Sequence, residues 1–384
     1  MLSTSLQIAL LTPVLGGSLL SVLCVLAAER TFGRAQAAKH PFRPPITVLK
    51  PIYGLDKELE ANLRSLCEQD YPDYQVVMSV QRTDDPALAI LRRLAAEYPT
   101  RVTLVVKQSE PVINGKVQNL VNALAAARHE ILIISDSDVR LQPNYLSEIV
   151  SPIADPEVGY VCTLYRAVTA DRWYEKLELL SINADFVPGV VFSYWSGAAS
   201  FCLGASVAFR RRDLELIGGM SDLGDYLVED YELGRRLLAL GKRMVLLTKP
   251  VEVLVGFSDA GRWWHHQIYW DQNTKVAHPV GFFLTILTRA VPFALVYALA
   301  RGLDATGCLV LGAALAIRIG TAAAFASLYL RDREGLRALW LLPLRDLVAV
   351  ASWCIALSKR SFVWRDHRFG LTHGGRIVPR ERAG

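Results

Sequence analysis

The chain of 384 residues has few charges for its size and little means of cross-linking itself. Charged residues make up 21% against 52% hydrophobic, a balance more apolar than that of most soluble enzymes. The six cysteines, Cys24, Cys67, Cys162, Cys202, Cys308 and Cys354, include no Cys-x-x-Cys and no close pair. That scatter excludes a disulfide framework and a zinc site, and reads as buried thiols facing a reducing compartment. A net charge of +5 is too small to argue for a nucleic-acid partner. There is no internal repeat and no low-complexity stretch. Met1 to Gln7 contains no positive residue, which a cleaved signal peptide would want ahead of its apolar core.

The apolar excess is concentrated at the two ends. Leu6 to Ala28 is a nearly uncharged run long enough to span a bilayer, and residues 1–30 read as a transmembrane anchor. Arg30, Arg34, Lys39 and Arg43 follow it, so the positive-inside rule puts its C-terminal side in the cytoplasm. Near the other end, Gly281–Ala300, Gly307–Leu330 and Ala338–Leu357 are each long enough to cross, though Arg289, Arg318 and Arg345 interrupt them. Three crossings would put the basic tail, residues 359–384, on the wrong side. Residues 276–358 therefore read as two spans plus a re-entrant, interfacial or third span, with Ala338–Leu357 the candidate for re-entry. The chain reads as an integral membrane protein, of the inner or plasma membrane if bacterial, with its catalytic domain cytoplasmic.

Residues 44–275 read as a soluble α/β domain. Ile46–Leu49, Gln75–Val80, Val102–Val106 and Ile131–Ile134 are candidate strands. Lys57–Gln69, Pro86–Glu97 and Lys116–Arg128 are candidate helices between them. The alternation predicts a Rossmann-like, mostly parallel sheet that binds ligands at the carboxyl ends of its strands.

Asp136-Ser137-Asp138 follows the last of those strands directly. Two carboxylates one residue apart at a strand end can share a hard divalent ion such as Mg2+ or Mn2+, leaving positions for phosphate oxygens; a simple turn is the rival. Glu229-Asp230 opens a second acidic segment at a helix start, where capping competes with a general-base role. Lys116, near another helix start, suits a phosphate or is merely solvated. Arg262 to Trp270 is rich in aromatic and basic residues, as an interfacial helix or an acceptor-binding wall would be.

Taken in order, these segments resemble the inverting GT-A glycosyltransferases, specifically the ceramide glucosyltransferase-like branch. Lys50-Pro51-Ile52-Tyr53-Gly54-Leu55-Asp56, Tyr71-Pro72-Asp73-Tyr74 and Asp84-Asp85-Pro86-Ala87 carry the likeness, with Ile113-Asn114-Gly115-Lys116, Ser135 to Arg140 and Glu229-Asp230-Tyr231. It continues in the tail at Val363-Trp364-Arg365. The resemblance implies transfer of glucose or N-acetylglucosamine from a UDP-sugar to the hydroxyl of a membrane lipid, most simply a ceramide. Lys50, Pro51, Asp85, Lys116 and Asp136 would bind the donor. Asp136 and Asp138 would hold the metal, and Asp230 would be the base. Glu229, His266, Gln267, Tyr269 and Trp270 would face the acceptor or the membrane interface.

One departure matters. The family pattern near the membrane places arginine where this chain has Tyr269, which offers a hydrogen bond in place of a charge. Leu164-Tyr165-Arg166 with Asn183, Phe186, Pro188, Gly189 and Val190 looks closer to bacterial transferases that add N-acetylglucosamine to hopanoids. A processive polysaccharide synthase, and a silent protein that only binds nucleotide-sugars or lipids, are the remaining alternatives.

Overall fold

The computed structural model describes residues 3–33, 42–108, 112–359, 361–364, 367–372 and 375–379. Arg34, Lys39, Arg360, Arg365, Arg380 and Arg382 of the basic flanks lie outside them. The chain divides into two compact units. A sheet unit holds residues 36–165, 200–254 and 363–384, and a helical unit holds 1–35, 166–199 and 255–362.

The sheet unit is built on eight strands. These are β1 (Ile46–Pro51), β2 (Tyr74–Val80), β3 (Val102–Val106), β4 (Ile131–Ser135), β5 (Val139–Arg140), β6 (Val158–Val168), β7 (Ser206–Arg210) and β8 (Arg243–Leu254). Their order is β3-β2-β1-β4-β7-β6-β8-β5. The half that alternates with helices is parallel, with β1 paired to β2 and β4, and β2 to β3. The other half brings in antiparallel pairs, β4 with β7, β6 with β7, and β5 with β8. Every residue of β1, β2, β4 and β7 is buried, which is why these strands read as continuous apolar runs rather than alternating ones. The polar exceptions are paired: Thr47 donates to Gln75 Oε1 at 3.1 Å, and Gln75 Nε2 to the Ala126 carbonyl at 3.0 Å.

In the tail, β9 (Ser361–Trp364), β10 (His367–Leu371) and β11 (Ile377–Pro379) form a small separate sheet. Within the sheet unit, Arg376 makes an antiparallel bridge with Tyr226.

The helical unit contains three helices long and apolar enough to cross a membrane, Thr4–Phe32, Ala305–Tyr329 and Arg333–Ser358. Much of their apolar surface faces outward, including Leu15, Leu19, Leu309, Leu328 and Trp340. Such surface suits hydrocarbon better than water. A further pair, Pro279–Thr288 and Ala290–Ala300, passes the same test but is bent by 47°. The bend thus falls at Arg289, in the first C-terminal segment. Pro343 sits in the first turn of Leu342–Ser358, where its missing N–H breaks no helical bond. Thr4–Phe32 packs at the bend: a Cβ on Gly17 would stand 2.6 Å from the Thr288 carbonyl oxygen, so glycine permits the approach.

Polar residues meet inside this unit. Asp185, in a π-helical turn over Ser181–Phe186, takes Arg289 at 2.7 Å and Arg318. Asp346 takes Arg318 at 3.0 Å. Arg345 donates to Ser181 Oγ at 2.7 Å and lies 3.5 Å from Asp185. The arginines that interrupt the apolar runs are thus paired internally, as charges among apolar helices must be.

Candidate active site

The site assembles at the carboxyl end of β4. Asp136 N–H donates to the Ala205 carbonyl of the β7 approach, and Lys50, fully buried at the end of β1, holds the loop from below. Its ammonium donates to Ser135 Oγ at 3.1 Å and to the Asp136 carbonyl. Burial pushes this amine down to about 8, against the pull of Asp136, Asp138 and Asp56. Pro51 is buried beside it in β1. Lys50 therefore supports the loop from beneath, while Pro51 is paired in register with Ser79 of β2.

Lys116 lies in the helix Gly115–Leu124, whose start is fixed by Asn114. That side chain accepts from Lys116 N at 3.0 Å and Val117 N at 3.3 Å, an N-cap in the ordinary sense. Asn114 Nδ2 also reaches the Tyr226 carbonyl at 2.9 Å and Glu229 Oε2 at 3.2 Å. The cap thus ties this helix to the loop that leads into the helix Glu229–Ala239. Lys116 Nζ stands 2.7 Å from Asp136 Oδ1 and 3.0 Å from Glu229 Oε1. Burial alone would depress it, but Asp136, Glu229 and Asp230 together hold it well above its ordinary range.

Asp230 opens the same helix, and its Oδ1 accepts from Tyr231 N at 2.8 Å. Burial first, then repulsion by Glu229, pushes its carboxyl up to about 7, with Lys116 opposing. Gly204 makes room for the arrangement. A Cβ there would collide with Asp230 Oδ2 and come within 3.4 Å of Lys116 Nζ. Lys116, Gly204, Glu229 and Asp230 line one cavity, whose apolar floor includes Leu120 and Val207.

On the other side of the loop, burial and then Asp136 and Asp56 push Asp138 up to about 7, with Lys50 opposing. Ser137 Oγ donates to Asp56 Oδ2 at 2.5 Å. A hard divalent ion fits this donor set, because its charge would offset both the burial and the repulsion by Asp136 and Asp56 that raise Asp138. No group of three or more His, Cys, Asp or Glu among the described residues forms a cage. Two carboxylates plus phosphate oxygens and water is the arrangement such ions accept.

Asp85 sits apart from this cluster. Its carboxylate accepts from Gly54 N through both oxygens, at 3.2 and 3.0 Å, and from Ala87 N at 2.9 Å. It thereby locks the loop after β1 against the loop after β2. His266, Gln267, Tyr269 and Trp270 lie on the helix Ala260–Ala277 of the helical unit. There the buried Glu178 takes Gln267 Nε2 and lies 3.3 Å from His266 Nδ1, while the Trp270 ring packs 5.8 Å from that of Phe186.

Two further contributors carry no mark of their role in sequence: Asp56, which accepts from Ser137 Oγ, and Gly204, which lies against Asp230. Only contact across the fold identifies them.

The model of glycosyl transferase family 21 matches residues 12–377. Ceramide glucosyltransferase 1 of Caenorhabditis elegans is 26% identical over 249 residues, 62% of this chain and 53% of that protein. The ceramide glucosyltransferase of Komagataella phaffii is 31% identical over 115 residues, 28% of this chain and 22% of that one. The match thus spans about half the length of the worm protein and less of the yeast one. A solved mannosyltransferase, PcManGT from Pyrobaculum calidifontis in complex with GDP-Man and Mn2+, is 22% identical. It superposes with a TM-score of 0.56 over 92% of this chain and 98% of that one. The fold is GT-A, and the chain belongs to glycosyl transferase family 21.

Proposed function

We propose that this protein is a membrane-bound inverting glycosyltransferase that moves a sugar from a UDP-sugar to the hydroxyl of a ceramide-type lipid. The observation that carries the reading is the convergence of Lys116, Asp136, Glu229 and Asp230 at one strand end. It joins a site for a charged diphosphate to a carboxylate whose proton affinity sits near neutrality, as a general base requires. The ceramide glucosyltransferase relatives support the acceptor class.

Asp136 and Asp138 would hold a divalent cation, which when bound neutralises charge on the departing diphosphate. Lys116 supplies further positive charge to the donor. Asp230 accepts the proton of the lipid hydroxyl while that oxygen forms its bond to the anomeric carbon. The bond from that carbon to the UDP oxygen breaks on the opposite face, and its electron pair leaves with UDP. One displacement inverts the centre.

The helix Ala260–Ala277 is assigned to the acceptor, with Glu178 orienting His266 and Gln267. For topology we take the bent pair Pro279–Ala300 as re-entrant in place of Ala338–Leu357, and the next two helices as spans, which returns the basic tail to the side of Arg30 and Arg43.

The test is lipid mass spectrometry with purified protein in mixed micelles of ceramide and hopanoid, with UDP-glucose or UDP-N-acetylglucosamine and Mn2+. A β-linked hexosyl-ceramide is expected. A hexosamine-hopanoid would move the acceptor assignment, a polymer would replace the reaction class, and no product with any donor would sink the proposal.

A further inference from the structure

We propose that residues 375–377 of the C-terminal tail are a positioning strap for Glu229 and Asp230, so that turnover depends on a segment distant from them in sequence. The inference rests on the function proposed above for its activity arm only.

The loop Gly224–Val228 leads straight into the helix that Glu229 and Asp230 open. Its backbone is gripped from both sides. From one side come bonds of the Asn114 cap, its N–H to the Gly224 carbonyl at 2.9 Å and its Nδ2 to the Tyr226 carbonyl at 2.9 Å. From the other comes the tail: Leu227 N–H donates to the Gly375 carbonyl at 3.0 Å, and Ile377 N–H to the Asp225 carbonyl at 2.7 Å. These two bonds flank the Tyr226–Arg376 bridge, so the tail adds as an antiparallel strand to a loop that would otherwise present an open edge.

Side chains reinforce the pairing. The Tyr226 ring has the Arg376 guanidinium 5.5 Å from its centroid and the Arg236 guanidinium at the same distance. Arg236 belongs to the helix that carries Asp230, and Glu232 holds it at 2.7 Å. The tail therefore reaches the first turn of that helix by two routes, through the loop backbone and through Tyr226. Asp230 has little latitude, because Gly204 lies against its carboxylate. A shift of about an ångström at a proton-accepting group is enough to cost a large factor in rate.

Three variants of the whole chain test the strap. Ile377→Pro removes the N–H donated to Asp225, and Arg376→Ala removes the ring contact, which Arg376→Lys should partly restore. Hydrogen exchange of peptides covering 224–231 should quicken in Ile377→Pro and Arg376→Ala, while peptides from β1, β2 and β4 keep their protection and certify the fold. Turnover should fall about tenfold or more, with UDP affinity changed less than about threefold. Unchanged exchange at 224–231 overturns the strap, and so does quickened exchange with full turnover. If the unmodified protein transfers no sugar, the proposed function fails, and the exchange measurement alone still decides whether the tail holds the loop.

Discussion

Lys116 and Asp136 form an ion pair, Nζ to Oδ1 at 2.7 Å, and the same ammonium reaches Glu229 at 3.0 Å. One lysine thus joins the metal-motif loop to the helix of the proposed base. Lys116→Met would leave Asp136, Glu229 and Asp230 without their common countercharge. Titration calorimetry with UDP and Mn2+ should show affinity reduced by about tenfold or more, each tenfold being about 1.4 kcal/mol. Affinity within twofold of the unmodified protein would mean that the lysine only holds the fold.

The acidic residues should separate by function. Asp136→Ala or Asp138→Ala should abolish metal-dependent UDP binding and transfer together. Asp230→Asn should lower turnover by about a thousandfold while UDP still binds, because it removes a proton acceptor and leaves the donor side intact. Normal turnover in Asp230→Asn would refute the base assignment.

The pH profile follows from the position of Asp230. A base works only when ionised, so transfer should rise through a limb near pH 7 and level off above it. Burial is the larger cause of that raised value and Glu229 the next, so Glu229→Gln should move the limb to lower pH. Stability runs the other way. With Asp230 raised, the native state binds more protons than the unfolded chain between about pH 4 and 7, and stability falls as pH climbs through that window. Asp230→Asn should flatten the slope, seen as a smaller change in Tm between pH 5 and 8.

Gly204→Ala places a methyl group against Asp230 Oδ2 and 3.4 Å from Lys116 Nζ. The expected outcome is a folded protein, by an unchanged melting curve, with transfer reduced by about a hundredfold as the carboxylate is displaced. Transfer at the unmodified rate would show that Asp230 can move without loss.

The buried charges of the helical unit give a stability prediction. Asp185→Ala takes from Arg289, Arg318 and Arg345 the carboxylate that all three share, and stripping one partner from a buried charge network costs about 3–5 kcal/mol. Thermal unfolding in detergent should show a clear drop in Tm, while Leu309→Ala on the outward face of Ala305–Tyr329 should show little.

The parallel half of the sheet was legible because buried parallel strands leave continuous apolar runs such as Ile131-Leu132-Ile133-Ile134. The antiparallel half was not, since β5 is two residues long and β7 pairs with β4 across some seventy residues of intervening chain. Site residues were legible where charge clustered locally, as in Asp136-Ser137-Asp138 and Glu229-Asp230. Roles fixed by distant partners were hidden. Lys50 gives no sign in its neighbours that it lies under the Asp136 loop, nor Asp85 that its carboxylate closes on Gly54. Arg318 and Arg345 looked like interruptions of apolar runs, because Asp185 is far away in sequence.

Residues 166–199 belong with the apolar helices although the chain before and after them builds the sheet. Synthesis proceeds from the N-terminus, so this segment leaves the ribosome before Pro279–Ser358 exists to cover it. The first helix, Thr4–Phe32, is already made. It packs on Val187–Trp195, with Arg30 over the Trp195 ring at 5.6 Å. A helix that looks like a simple tether is therefore also a shelter already in place for an apolar stretch in mid-chain, and replacing it with an unrelated span should cost yield before it costs anchoring.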